Sequence, residues 1–522
     1  MSRLDQLISI VAPQWALKRS AARKKLSLMN SGYSHHGASR TKKSLLGWVF
    51  NGGSPDEDII ENLDVLRQRS RDLYMGGSAL ATGALKTART NVVGTGLQLK
   101  PAVDTEFLGL ADEDAAQLKR IIQREFALWS ETVDCDAQRL NNFFELQQLA
   151  YLSQLMSGDS FALLPITPRA HSVYDLRIRL MEADRVSDPD VIGGRDIKGG
   201  VECDEHGEVI AYWFSGRHPL STSSKKQTWT RVEAFGRESG RRNLLHLMES
   251  ERPEQRRGVP ILAPVIESLK QLGRYTEAEL MAAVVSGMFT VFIKSNSPDN
   301  PLGEGIDLEH QVDADDSTTY EMGNGAIIGL APGEEAQMAN PARPNTAFDG
   351  FVTSILRQVG AALEIPYELL VKHFTASYSA SRAALLEAWK SFRMRRSWLA
   401  MDFCQPIYEE WFAEAVAKGR ISAPGFFDDP LIRRAYTKAE WHGPSPGQLD
   451  PLKEANAAIL RIQAAISTIE RETAELTGGD FEQNVRQRAW EERLLQVSGL
   501  TSTGGEPTSE KVLEPEEDGQ EQ

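Results

Sequence analysis

Several features are scarce or missing in this 522-residue chain, and each shortage argues against a class of protein. Only three cysteines occur, Cys135, Cys203 and Cys404, and no two of them form a C-x-x-C pair. This spacing argues against a zinc site and a disulfide scaffold, so we expect packed thiols. The longest apolar run, 280–293, is shorter than the ~20 residues that span a bilayer. The N-terminus also lacks the layout of a signal peptide, so we expect an intracellular protein.

Sequence motifs for catalysis and cofactor binding are also missing. The chain contains no G-x-x-x-x-G-K-[ST] phosphate loop, no H-E-x-x-H and no G-x-S-x-G. Turn chemistry explains the acidic residues around His206 better than a metal site does, and residues 313–324 lack the glycine and glutamate of a calcium loop. We therefore expect no catalytic residue, no metal and no cofactor. An acid pair among the 73 Asp and Glu residues stays open.

Positive charge is in deficit overall, and its distribution is uneven. The net charge of −15 argues against non-specific DNA binding, which depends on lysine and arginine neutralising phosphates. Residues 1–45 nevertheless hold nine Lys or Arg and one Asp, whereas 294–343 hold ten Asp or Glu and two basic residues. We expect a basic flexible arm at the N-terminus and an acidic surface in the middle of the chain.

Hydrophobic periodicity predicts a mixed chain of helices and strands. Apolar spacing predicts helices at 112–130 and 143–157, and the period then changes to that of strands in four segments between 161 and 235. A long helix is predicted from about 262, with extended chain at its far end, and an amphipathic helix at 346–364. The polar stretch 372–380 is predicted to be a loop. Ser381 is then expected to cap a long helix that reaches about 417 and kinks at Pro406.

Five segments in chain order, together with the arginine- and proline-rich stretch RPEQRRGVP at 252–260, resemble the lambda-type phage portal proteins. The segments are SHHGASRTKKSLLGW at 34–48, the helical stretch 66–101, the stretch 126–165, IPYELLVKHFTASYSASRAALLEAW at 365–389 and LDPLKEANA at 449–457. The segments are spread nearly from end to end of the chain, and their shared order is far more specific than any one of them.

The resemblance implies an α+β portal-protein fold with long stem helices, a mixed α/β wing, a small α/β clip and a helical crown. It implies boundaries that we state as expectations. They are a basic arm at 1–55, a wing at 56–258, a stem helix at 259–293, a clip at 294–344, a second stem helix at 345–365, a channel loop at 366–380, a kinked wing helix and joint at 381–447, a helical crown at 448–498 and a disordered acidic tail at 499–522.

The function implied is a homo-oligomeric ring, dodecameric in the family, at one capsid vertex. Double-stranded DNA would be packaged through it by the terminase motor and later ejected, and the ring would nucleate head assembly and attach the neck and tail. The expected partners are the terminase large subunit, a head-completion protein, the major capsid and scaffold proteins and DNA without sequence preference. The expected location is the virion, after assembly in the host cytoplasm.

The resemblance places the channel loop at KHFTASYSA, where Lys372, His373 and Tyr378 are the predicted DNA contacts. Such a lining is sparsely basic, as sliding DNA requires, because each phosphate contact adds an attraction that must be broken. A cap on the preceding short helix is an alternative role for Lys372. The alternative function is a DNA-associated minor head protein or an enzyme such as a nuclease.

Overall fold

The protein is described from a computed structural model, which describes residues 52–190, 193–222, 226–288, 292–294, 328–330, 348–374, 377–447 and 450–498, with short pieces at 14–15, 18, 21–22 and 43–45. The chain divides into two compact units, Met1–Asp58 and Ile59–Gln522. Most of the predicted arm, most of the predicted clip and all of the acidic tail lie outside the described residues. No helix in the described part of the chain is long and apolar enough to cross a membrane.

Helices and short strands alternate along the first half of the chain. The helices are α1 (Pro55–Asp72), α2 (Ala79–Val92), α3 (Thr105–Leu108), α4 (Asp112–Ser130) and α5 (Phe143–Ser157). The strands are β1 (Gln98–Pro101), β2 (Asp159–Leu163), β3 (Arg179–Met181), β4 (Asp196–Lys198), β5 (Val201–Cys203), β6 (Val209–Ser215), β7 (Trp229–Glu233) and β8 (Leu244–Met248). The predicted helices at 112–130 and 143–157 are confirmed, and Asn142 and Glu145 form a capping box at the start of α5.

The second half is mainly helical. Its helices are α6 (Ile266–Met288), α7 (Phe348–Ala362), α8 (Tyr367–Val371), α9 (Tyr378–Leu399), α10 (Gln405–Ala417), α11 (Pro430–Thr437), α12 (Pro451–Gln463), α13 (Ile469–Thr477) and α14 (Phe481–Val497). Its strands are β9 (Phe292–Lys294), β10 (Ile328–Leu330) and β11 (Ala439–His442). The predicted change from the long helix to extended chain is confirmed at β9.

The described strands form four small sheets. Strand β2 lies between β3 and β8, and β4, β5, β6 and β7 form an antiparallel meander. The turn at 204–207 joins β5 to β6 as predicted, and the Asp204 carboxylate accepts the N–H groups of His206 and Glu208 there. Strand β1 pairs with the distant β11, and β9 pairs in parallel with β10.

The principal core joins both halves of the chain. Phe126 of α4 packs edge-on against Trp411 of α10, with ring centroids 5.0 Å apart, and Phe143 of α5 stacks on Phe403 at 6.0 Å. The three cysteines are buried and free, as predicted. A smaller core lies between the two larger sheets and contains Phe161, Tyr212 and Phe214. The helices and sheets of 59–250 therefore depend on the segment 399–436 for their packing.

The break in the long helix lies just before Pro406. A five-residue π-helical turn, Ala400–Cys404, separates α9 from α10, and the Gln405 N–H donates to the Ala400 carbonyl five residues back. Pro406 has no N–H to give to the Asp402 carbonyl, so the regular ladder is interrupted here. The interruption expected at Pro406 is confirmed, in the form of a widened turn.

Candidate functional site

Helices α6 and α7 lie side by side and run in opposite directions. Tyr275, near the middle of α6, stacks on Phe348 at the start of α7, with centroids 5.5 Å apart, and contacts Phe351 at 5.2 Å. Helix α7 also contacts the 3-10 turn Ala263–Val265 that precedes α6. Since α7 starts beside Tyr275 and reaches that earlier turn, the two chains are antiparallel.

The antiparallel pair α6 and α7 is only partly covered by the rest of the chain. Near its base, Leu269, Leu272, Leu356 and Val359 are buried in the principal core. Further along, large apolar side chains are exposed: Leu280 by 64%, Met281 by 57%, Val284 by 43% and Phe351 by 51%. The far part of this pair therefore presents apolar surface that the described residues of the chain leave open to water.

The predicted channel segment follows directly from α7 and α8. Lys372 ends α8 in the left-handed conformation, with φ of 56°, and its N–H donates to the Glu368 carbonyl. The His373 N–H donates to the same carbonyl at 3.0 Å. The side chains of Lys372, His373 and Phe374 are exposed. The backbone geometry is that of a helix C-cap, so the capping position considered from the sequence is occupied by Lys372.

Tyr378 lies in a helix and not in the loop. Helix α9 begins at Tyr378, with Ser377 as its N-cap residue, so the loop between α8 and α9 is shorter than 372–380. Ser381 is therefore inside the first turns of α9, and its predicted role as the cap is wrong. Small residues such as Ala380 are good helix formers, which explains why a stretch that shows no sequence period is helical at its end.

The base of α6 is held by a buried carboxylate that the sequence reasoning missed. Asp159, at the start of β2, is fully buried between Arg67 of α1 and Arg257, which are 2% and 1% exposed. Its Oδ2 accepts from Arg257 Nε at 2.8 Å and from Arg67, and its Oδ1 accepts the Gly258 N–H at 2.6 Å. His246 Nε2 lies 2.9 Å from the same Oδ1. We call Arg67, Asp159, His246 and Arg257 the base cluster.

Arg257 fastens the start of the α6 segment to the sheets. Its guanidinium donates to the carbonyls of Val186 at 2.8 Å and Ala183 at 2.9 Å, in addition to Asp159. The same group lies over the Phe161 ring, 5.3 Å from its centroid. Because Arg is a planar fork with five donors, one side chain satisfies several buried acceptors at once.

Burial and charge act in opposite directions in the base cluster. Burial alone would raise the pKa of Asp159, but Arg257, His246 and Arg67 outweigh it and hold that pKa well below its usual range. Burial lowers the pKa of Arg67 to about 10, and the neighbouring Arg257 adds to the effect. Burial also lowers the pKa of His246, against the attraction of Asp159. The cluster therefore favours a charged Asp159 and a neutral His246.

Two glycines allow the backbone to pass closely at the same place. Gly158 has φ of 84°, and a Cβ there would lie 2.4 Å from the Gly258 carbonyl oxygen. A Cβ on Gly258 would lie 2.1 Å from the Gly158 carbonyl oxygen. The α5–β2 turn and the start of the α6 segment thus touch backbone to backbone. In the sequence this contact is marked only by Gly158-Asp159 after one helix and Arg257-Gly258 before another.

The basic residues of α9, at 382, 390, 393, 395 and 396, differ in burial and do not form one exposed face. Arg395 is 6% exposed and donates to Glu364 at 3.0 Å. Arg396 donates to the carbonyls of Val92 at 3.0 Å and Asn91 at 2.8 Å, and burial lowers its pKa to about 10. Three further residues lie nearer the surface and pair with acids: Arg382 with Glu454, Lys390 with Glu387 and Arg393 with Glu475. The positive charges of these residues are used in such contacts, chiefly to hold α9 against its neighbours.

One group of potential metal ligands occurs in the described part of the chain, and it is not the His206 turn. Oxygen and nitrogen atoms of Glu182, Asp184 and His218 lie within 4.8 Å of one another. Arg71 donates to Glu182 at 2.8 Å and also to Asp184. Arg67 Nη1 also lies 3.8 Å from Asp184, so two arginines face the two carboxylates, and the arrangement is that of an ion-pair network between α1 and the sheets.

Comparison with solved structures finds chains from gene transfer agent particles. The chain is similar to a chain from the virion of a native gene transfer agent particle, with a TM-score of 0.39, 13% identity, and coverage of 80% of this chain and 93% of that one. It is also similar to a chain from the neck of that particle computed with C12 symmetry, with a TM-score of 0.38, 12% identity, and coverage of 78% and 94%.

Sequence comparison gives much stronger matches. Portal protein B of Escherichia phage lambda is 24% identical over 490 residues, covering 90% of this chain and 91% of the relative. The portal protein of Escherichia phage N15 is 24% identical over 514 residues, covering 94% and 96%. The profile of the family described as "Phage portal protein, lambda family" matches residues 41–396, well over half of the chain. The chain therefore belongs to the lambda family of phage portal proteins, structural components of the virion at its head–tail connection.

Proposed function

We propose that copies of this chain form a closed ring, a dodecamer as in the family, that passes double-stranded DNA into the capsid during packaging and out during ejection. The observation that carries the proposal is the α6 and α7 pair, whose base is packed in the principal core while Leu280, Met281, Val284 and Phe351 remain exposed. Apolar surface of this kind favours contact with another protein surface.

A ring follows if each copy contacts the next head to tail. Such a contact uses two different surfaces of the same chain, and it closes when the rotation per subunit divides the circle. In this arrangement the α6 and α7 pairs line a central hole, and the segment between them, 294–344, forms its mouth. Chemical work is then left to a separate motor, and the portal acts as a structural conduit without enzymatic activity of its own.

The proposed partners follow from the charge of the segments. The acidic clip, 294–344, binds the terminase large subunit during packaging and a head-completion protein afterwards. The basic arm, 1–55, meets the scaffold and major capsid proteins as the head assembles. Deletion of residues 295–344 is then expected to leave rings intact and abolish packaging in a head-filling assay. Packaging at the parental level by the deleted protein would contradict the assignment of the clip.

The first experiment measures the size and shape of the purified protein. Native mass spectrometry is expected to give a species of twelve times the 57.9 kDa subunit, and negative-stain images are expected to show a central hole. A monomer or dimer at the same concentration would overturn the ring. In that case a minor head protein or an enzyme would become the better description.

The DNA contacts proposed in the channel are Lys372, His373 and Tyr378. Lys372 and His373 are exposed just beyond the end of α8, and Tyr378 begins the next helix. Contacts of this kind reach phosphates and carry no sequence information, so any DNA can pass. DNA that slides through the channel must also make few such contacts, because each one adds a salt-dependent attraction that opposes movement.

Lys372→Ala tests the channel assignment. The variant is expected to form rings normally and to change the fraction of packaged DNA retained under rising salt, because one phosphate contact per subunit is lost. Lys390→Ala is the matched control, since Lys390 is an exposed lysine of α9 paired with Glu387. If Lys372 only caps α8, the Ala variant would lower thermal stability and leave DNA retention like that of the control.

A further inference from the structure

Helix α14 has large apolar side chains on a face that nothing in the described part of the chain covers. Among its seventeen residues, none of which is buried, Trp490 is 54% exposed, Leu494 48% and Val497 88%. These three positions follow the i, i+4, i+7 spacing and so lie on one face. Phe481 and Leu495, on the opposite side, are partly covered, and α14 contacts α13. We call Trp490, Leu494 and Val497 the α14 stripe.

The charged side chains of α14 find partners within the helix. Arg486 donates to Glu482 at 2.9 Å, and Arg488 donates to Glu492 at 3.2 Å, each pair one turn apart. Such pairs contribute only a few tenths of a kcal/mol, and an isolated helix of this length is marginal in water. The uncovered apolar face is therefore the feature of α14 that a partner would change most.

A second uncovered apolar face lies in the same crown module, on α12. Leu452 is 74% exposed, Ile459 51% and Leu460 65%. Leu452 and Ile459 are seven residues apart and share a face, whereas Ala458 on the other side is buried. Helix α12 is fastened to α13 by Arg461, which forms two hydrogen bonds with Glu472. We call Leu452, Ile459 and Leu460 the α12 stripe.

We propose that the α14 stripe of one copy packs on the α12 stripe of the next copy in the ring. This inference rests on the proposed ring and names the surfaces that close its crown. A head-to-tail contact needs two different faces on one chain, and the crown carries such a pair on two separate helices. The charged neighbours on α14 are already paired, so the contact is apolar at its centre with a polar rim.

The size of the stripes selects a second copy as the occupant. The surface that three side chains on each face can bury is far smaller than the ~1,200–2,000 Å² that a free-standing specific complex buries. A separate protein or a two-fold dimer held by this patch alone would dissociate. In a ring the contact recurs between every pair of neighbours and adds to those made by the α6 and α7 pairs, so a small area suffices.

The contact is tested by cross-linking the full-length protein. Ile459→Cys and Leu494→Cys are combined in one chain, whose natural cysteines are all buried. Rings treated with a short flexible bismaleimide are expected to give, on a denaturing gel, a ladder of covalent oligomers up to the full ring. Each single variant is expected to run as a monomer on the same denaturing gel, because no second cysteine lies within reach of the cross-linker. Dimers from the Leu494→Cys variant alone, or no intermolecular product from the double variant, would overturn the pairing.

A second measurement does not depend on the register of the two helices. Trp490→Glu combined with Leu494→Glu is expected to make subunit exchange between rings at least about tenfold faster, because buried apolar area is lost at every contact. Leu431→Glu, at a leucine of α11 that is 63% exposed, is the control. Subunit exchange at the rate of the control variant would overturn the proposal. If those variant rings also fail to enter heads, another head protein and not a second copy occupies the stripe.

The outcomes separate this inference from the function on which it rests. If the parent protein forms rings while the stripe variants behave like the control, only the crown contact is wrong. If the parent forms no ring, the proposed function fails, and the contact fails with it.

Discussion

Replacing Asp159 by Asn would remove the buried carboxylate that both Arg67 and Arg257 contact. Arg67 and Arg257 are 2% and 1% exposed, and each donates to the Asp159 carboxylate. Asn has nearly the same shape, so no cavity forms. Its amide NH2 group, however, is a hydrogen-bond donor and would face the N–H donors of an arginine. Breaking a buried ion pair in this way costs about 3–5 kcal/mol, since a charge is left without compensation. The loss falls where the α5–β2 turn, α1 and the start of the α6 segment meet.

Hydrogen exchange with mass spectrometry measures this loss locally, which suits a large chain whose unfolding need not be two-state. Exchange of amides around 257–270 is expected to accelerate roughly 10²- to 10⁴-fold in the Asp159→Asn protein. Asp196→Asn is the matched control. Asp196 pairs with Arg256, which precedes Arg257 in the chain, but Asp196 is 47% exposed. Exposed pairs are worth about 0–1 kcal/mol. Equal changes in the two variants would refute the assignment of the base cluster.

Two further predictions concern the same region. Gly158→Ala is expected to destabilise the chain by about 2–5 kcal/mol, because a left-handed residue and a clash with the Gly258 carbonyl act together. Gly207→Ala has the same φ of 84° and open space, so only about 1–2 kcal/mol is expected in the same thermal scan. Because burial lowers the folded-state pKa of His246, the unfolded chain binds more protons below about pH 6.5. Stability is therefore expected to fall from pH 7 to 5, and His246→Gln to flatten that slope; a parental slope in the variant would contradict this role.

Elements with a strong local signal were predictable from the sequence. Helices α4 and α5 have the predicted bounds because their apolar period is regular and a glycine or turn ends each one. The hairpin of β5 and β6 is marked by Asp204 and Gly207, whose side-chain acceptor and positive φ define the turn. In these places the information lies within one turn or one strand of the chain.

Elements that depend on distant partners were missed. Strand β8 pairs with β2 and has Leu245 and Leu247 in the principal core but Leu244 in the smaller core, so apolar residues occur on both of its faces and no alternating pattern marks it. Helix α13 was not predicted between 466 and 480, where Thr468 forms an N-cap and Gly478 a C-cap around a short, charged helix. The segment 448–498, predicted to be a crown, consequently has three helices in its described residues and not the two expected from the sequence. The start of α9 at Tyr378 was missed because small polar residues carry no apolar period.

The candidate site divides in the same way. Exposure of Lys372 and His373 beyond a short helix follows from the local sequence, whereas the base cluster joins residues up to 190 positions apart in the chain, Arg67 and Arg257 among them. Charged residues of this kind look like surface residues when they are read one at a time. Burial of an arginine becomes evident only when the carboxylate and carbonyls that satisfy it are known.

The pairing of β1 with β11 sets a time order for synthesis of the chain. Gln98 pairs with His442, and Arg396 donates to the Val92 carbonyl 304 positions earlier. At about 5–20 residues per second, roughly 300 residues take about 15 to 60 s to emerge from a ribosome. During that interval the apolar faces of α2, α4 and α5 lack α10, which packs against them in the folded core. A nascent chain stalled before residue 399 would therefore be a substrate for chaperones and proteases.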